Sequence, residues 1–203
     1  MTTPVPMFDA LVLAGGRSSR LAGVPKAGLV VEGATLLELT CAALARAQQL
    51  IVVGPEADVV GPGWPGAPPY FVREEPAFAG PAAAVVAGFR AATAVRAPWC
   101  AVVACDMPRV AIVIEALLLD AGRDDGRSLV ALDSGREQPL AALYRTADLA
   151  TAIDAVLARG SAENLSMRSL LASVRTRLVP VPPGTTHDVD TWADARALGV
   201  GIP

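Results

Sequence analysis

FDALVLAGGRSSRLAGVPK, residues 8–26, starts as a buried strand and ends as a polar loop. Phe8–Leu13 is short and apolar, and Gly15-Gly16 breaks it. A second stretch follows the same grammar. WCAVVA (99–104) is apolar throughout, as a parallel strand covered on both faces should be, and Pro108 in CDMP (105–108) turns the chain away. Working outward, Leu50–Val53, Tyr70–Val72, Leu129–Leu132 and Thr176–Val181 read as further strands. Thr35–Ala47, Pro81–Ala94, Arg109–Asp120, Thr146–Arg159, Ser166–Val174 and Asp190–Leu198 read as helices, with Pro81 as a first-turn proline and Asp190 or Thr191 as a cap. Pro139–Tyr144 is expected as a strand of opposite sense or at an edge, because Pro139 cannot donate to a ladder. The proline- and glycine-rich residues 54–69 read as loop. Strand–helix alternation predicts an α/β layer fold with a mainly parallel central sheet. No repeat or linker divides residues 1–203, so one domain is expected.

Composition narrows the function classes. Of 203 residues, 53% are hydrophobic and 18% charged, which excludes a disordered chain. Seventeen Lys+Arg against 20 Asp+Glu leave a net charge of −3, so no basic field exists to attract nucleic acid. Cys41, Cys100 and Cys105 lack CxxC or Cys/His spacing, so neither a disulfide framework nor a structural zinc is expected. They read as small buried hydrophobes in a reducing cytoplasm. The first residues lack a basic n-region, and no apolar run reaches the roughly 18 residues of a membrane span. A cytoplasmic protein, monomeric or weakly homo-oligomeric, is the expectation. Lys26 is the single lysine among the 17 basic residues. Either it was retained by chance, or its site needs a compact ammonium on a flexible stem rather than a planar fork.

In open α/β sheets, ligands bind beyond the carboxyl ends of strands. Gly15 and Gly16 let the backbone approach a ligand closely, and successive amides in such a turn form a concavity for anionic oxygens. Ser18 and Ser19 add hydroxyls; Arg20 and Lys26 add positive charge. This suits a polyphosphate, although the pattern is neither GxxxxGK[ST] nor GxGxxG. Asp106 follows the 99–104 strand directly and would emerge at the same sheet edge, where one carboxylate beside a phosphate loop can hold Mg2+. Blander readings stand beside these: an ordinary Gly/Ser turn with solvated charges, and Asp106 as a helix cap. The sole histidine, His187, reads as a loop residue.

LAGGRSSRLAGVPK (13–26) closely resembles the LAGGxSxRMGxxK signature of nucleotidyltransferases related to molybdenum cofactor guanylyltransferase. EPAFAGPAAAVVAGF (75–89) is similar to that family's GPLAG segment, and VACDMPRV (103–110), REQPLAALYR (136–145) and DVDTWAD (188–194) continue the likeness in order. Leu21, Ala22 and Ala82 replace the usual methionine, glycine and leucine. The resemblance implies a Rossmann-like three-layer sandwich of the nucleotide-diphospho-sugar transferase type. It implies transfer of GMP from GTP to the phosphate of a pterin acceptor, with Mg2+ as cofactor. Leu13, Ala14, Gly15 and Gly16 would line the nucleotide, as would Ser18 and Glu74, where an upstream aspartate of the family is matched approximately by Glu74 or Glu75. Arg20 and Lys26 would neutralise the triphosphate, and Asp106 would hold the metal. Asp188 and Asp190 would form a second metal or acceptor site, and Gln138 with Pro139 would face the pterin. Guanine is inherited from the resemblance, so CTP, or a sugar phosphate or phospholactate-type acceptor, remains an alternative. A non-catalytic nucleotide-binding module is a further one.

Overall fold

The computed structural model describes residues 5–16, 19–55, 68–94, 96–123 and 125–202. Alternating burial builds its layers. Along β1 (Phe8–Leu13), Phe8, Ala10 and Val12 enter one core while Leu11 and Leu13 enter another. Along β6 (Trp99–Ala104), Trp99, Ala101 and Val103 take the first core and Cys100 and Val102 the second. A strand with period two and no polar face must be covered on both sides. Helices α1 (Leu36–Ala43) and α3 (Val110–Ala121) cover the first face. The second is covered by α2 (Pro81–Ala91), α4 (Thr146–Leu157) and α5 (Met167–Leu170). Each fully buried leucine or valine here contributes about 1.5–3 kcal/mol relative to exposure.

The remaining strands are β4 (Leu50–Val53), β5 (Tyr70–Val72), β7 (Ser128–Asp133), β8 (Arg136–Arg145) and β9 (Thr176–Pro180). Their order is β5-β4-β1-β6-β8-β7-β9, with β8 alone antiparallel to its neighbours. The expected three-layer α/β sandwich with a mainly parallel sheet is therefore what forms. The opposite sense predicted around Pro139 holds, but the strand lies inside the sheet, not at an edge. The ladder between β7 and β8 shifts at Val130/Ala131, passing from Ala142 to Gln138. Pro139 falls within that irregularity, where no ladder donor is required, and its carbonyl accepts the Tyr144 hydroxyl at 2.7 Å.

Several boundaries differ from the sequence reading. The helix expected over Thr35–Ala47 begins after Thr35, whose hydroxyl and Glu38 form a reciprocal capping box, and ends at Ala43. The Ser166–Val174 helix shortens to one turn capped by Ser166, because Leu171–Val174 form turns leading into β9. The final helix, α6 (Trp192–Ala197), is capped by Thr191, not Asp190. A hairpin of β2 (Val30–Val31) and β3 (Ala34–Thr35) escapes sequence reading because each arm has two residues. Leu21, Leu29 and Leu36 pack with Val189, Ala195 and Val200 in a small third core, seating the C-terminal segment over the loop after β1. Most of the loop expected over 54–69 lies outside the described residues. All three cysteines are free and buried, and burial pushes the Cys41 thiol up to about 12. Among the described residues no helix is long and apolar enough to cross a membrane.

Candidate active site

Strand order reverses at β1: β4 and β5 continue to one side, β6 lies on the other. Such a switch opens a crevice beyond the strand tips. The Cys105 amide donates to the Leu13 carbonyl at 3.1 Å, carrying the β1–β6 ladder one residue past the end of β6. The loops after β1 and β6 therefore leave side by side. On the other flank the Ala14 amide donates to Val53 at 2.9 Å. A Cβ on Gly54 would stand 3.0 Å from the Ala14 carbonyl carbon, so any larger residue there would push the two chains slightly apart.

Beyond these tips lies a cleft of about 500 Å³. Leu13, Ala14, Gly15, Gly16, Arg20, Lys26, Glu74, Asp106 and Asp190 all line it. Lys26 Nζ donates to Asp106 Oδ2 at 2.9 Å and also to the Asp190 carboxylate. Arg20 Nη1 donates to Asp190 Oδ2 at 3.1 Å. Burial works to lower the Lys26 pKa, but the carboxylates of Asp106 and Asp190 outweigh it and leave the ammonium above its usual range. Burial likewise pushes Asp106 up; Lys26 opposes this, and the charge of Asp188 adds to it. Lys26 is thus a cation held among carboxylates at the cleft.

Asp106, Asp188 and Asp190 can each offer one carboxylate oxygen, the three lying within 4.8 Å of one another. An all-oxygen set beside open cleft fits a hard divalent ion that completes its shell with water and phosphate oxygens. Asp188 belongs to this cluster but does not line the cleft.

The two late aspartates arrive by a polar route. Asp133, buried at the end of β7, accepts from the Gly184 amide at 3.0 Å, the Thr186 amide at 3.0 Å and the Thr186 hydroxyl at 2.9 Å. The Ser134 hydroxyl donates to it at 2.8 Å. Burial disfavours its charge, but these donors, led by the Thr186 and Gly184 amides, hold its pKa well below the carboxylate range. Three residues on, the Val189 amide donates to the Asp106 carbonyl at 3.0 Å, locking the segment against the β6 tip. The Thr191–Asp194 capping box fixes its far end.

A family profile described as the MobA-like NTP transferase domain matches residues 10–178. The chain belongs to the MobA-like nucleotidyltransferases. A probable molybdenum cofactor guanylyltransferase of Mycobacterium marinum is 34% identical over 195 residues, covering 92% of this chain and 90% of the relative. Among solved structures, molybdopterin-guanine dinucleotide biosynthesis protein A from Archaeoglobus fulgidus superposes with a TM-score of 0.65 at 17% identity, covering 95% of this chain and 97% of that one. The 2-C-methyl-D-erythritol 4-phosphate cytidylyltransferase from Thermus thermophilus gives 0.66 at 23%, covering 95% and 98%. At these identities the two structures share the MobA-like fold of this chain.

Not every residue singled out in the sequence reaches the cleft of this MobA-like chain. Gln138 and Pro139 stand in the irregular part of β8, and the wall there is Leu140. Ser18 lies outside the described residues. His187 is exposed at the end of the 183–186 turn, in keeping with a loop residue. Asp133 escaped notice because its partners lie some fifty residues away, and a carboxylate ending a strand carries no local sign of them. Phe78, which lines the cleft, escaped because an aromatic between two alanines reads as core.

Proposed function

We propose that this chain transfers GMP from GTP to the phosphate of molybdopterin, releasing pyrophosphate. The observation that carries the reading is the meeting, in one cleft, of the Gly15-Gly16 turn, the Lys26 ammonium and the Asp106 carboxylate. The difficulty of this reaction is that two anions must meet in line at the α-phosphorus, so catalysis is mostly positioning and charge neutralisation. The glycine turn offers backbone approach to the phosphates. Lys26 exchanges its carboxylate partners for the phosphates, and Arg20, at the outer rim, offsets charge on the departing pyrophosphate. Asp106, with Asp190 and Asp188, would hold Mg2+, which when bound polarises phosphate oxygens as a Lewis acid. The acceptor phosphate is already ionised near neutral pH, so no histidine base is needed, consistent with His187 lying outside the cleft lining.

The test is pyrophosphate release over a panel of nucleoside triphosphates with molybdopterin and Mg2+. GTP with molybdopterin should turn over fastest. Faster turnover with CTP or with a sugar phosphate would transfer the chain to a sister activity. Tight triphosphate binding without release for any acceptor would make it a binding module.

A further inference from the structure

We propose that Phe78 is a stacking wall for the planar heterocycle of a substrate; the proposal deepens the nucleotidyl-transfer reading and rests on it. Phenylalanine gains heavily from burial, yet Phe78 is 43% exposed, at the lining of the cleft. Its backbone is also unusual. With φ at +63° it occupies the left-handed region, which a bulky side chain adopts only under strain. The surroundings over-determine that conformation. The Phe78 amide donates to the buried Glu74 carboxylate at 2.9 Å. The next residue, Ala79, is buried, and its carbonyl accepts from the Asn164 amide at 2.7 Å. Gly80 follows with φ at +95°, and Pro81 opens α2. The segment is thus pinned on both sides of a strained residue whose partly exposed ring lines the binding cleft. Strain kept at such a place is a device of sites, not of cores.

The geometry also says what the ring is for. The Arg73 guanidinium stands 5.6 Å from the ring centroid, at a distance that supports the ring without burying it. Gly15 and Gly16 line the same cleft of about 500 Å³, and a Cβ at Gly16 would meet nothing within 4 Å. Glu74 lines it too, and its carboxylate accepts N–H donors such as the 2-amino-4-oxo edge carries. That edge is common to guanine and to a pterin, so one wall suits either ring.

Calorimetric titration of wild type, Phe78→Ala, Phe78→Leu and Phe78→Tyr with GTP and with inorganic tripolyphosphate tests this. Loss of a stacked base should weaken GTP binding about 10-fold in the Ala variant, less in Leu, and hardly at all in Tyr. Tripolyphosphate affinity should not change. If the ring that stacks is the acceptor's, GTP affinity stays constant and the KM for molybdopterin rises by a similar factor in the same variants, which upholds the wall. Unchanged GTP affinity together with unchanged acceptor KM would overturn the proposal. Equal weakening of GTP and tripolyphosphate would do so as well. Failure of wild type to bind GTP at all would instead overturn the nucleotidyl-transfer reading.

Discussion

Two walls of the cleft are built by opposite physics. The wall at the tips of β1 and β6 is an extension of the apolar core, where ladder hydrogen bonds and close packing at Gly54 place Gly15, Gly16 and Asp106. The wall carrying Asp190 is held by a buried carboxylate, a capping box and one amide at the Asp106 carbonyl. The first continues the sheet's own hydrogen-bond ladder. The second rests on the ionised Asp133 carboxylate and the four donors that meet it.

Asp106→Ala strikes the point where the walls meet and should have the largest effect. Loss of a metal contact costs several kcal/mol of transition-state stabilisation, so pyrophosphate release should fall by about 10³-fold or more. Near-normal turnover would detach the first wall from catalysis. Lys26→Ala removes a preorganised cation and should reduce kcat by about 10²-fold; an unchanged rate would return the lone lysine to chance.

Asp133→Ala addresses the second wall alone. Removing an ionised acceptor of several buried hydrogen bonds should lower unfolding free energy by about 3 kcal/mol at pH 7, read by denaturant titration. Because the folded Asp133 pKa is depressed, its contribution is complete above the ordinary carboxyl pKa of about 4 and disappears as pH falls below that. The gap between wild type and variant should therefore narrow below about pH 4. A gap that stays constant into acid would show that charge does not hold this wall. Arg20→Ala should do least. Its side chain is 71% exposed and its pair with Asp190 is screened, so stability should be unchanged and turnover reduced by about 10-fold or less.

The same contrast explains how much could be read from the sequence. Apolar runs announce strands, so β1, β4, β5 and β6 fall where the pattern puts them, and Gly15, Lys26 and Asp106 lie in motifs adjoining strand ends. The second wall was legible only through family resemblance. Nothing local in DVDTWAD reveals that Asp190 pairs with Lys26, 164 residues earlier. The two-residue arms of β2 and β3 carry no periodicity, and the interior place of β8 depends on a ladder shift that hides Pro139. Polar, long-range contacts leave no period in a sequence.

The central claim is that the glycine turn and the Asp106 carboxylate act on one triphosphate. Calorimetric titration of GTP with and without Mg2+, in wild type and in Asp106→Ala, tests it most directly. Mg2+ should strengthen GTP binding to wild type and have little effect in the variant. An equal strengthening in both proteins would contradict the account.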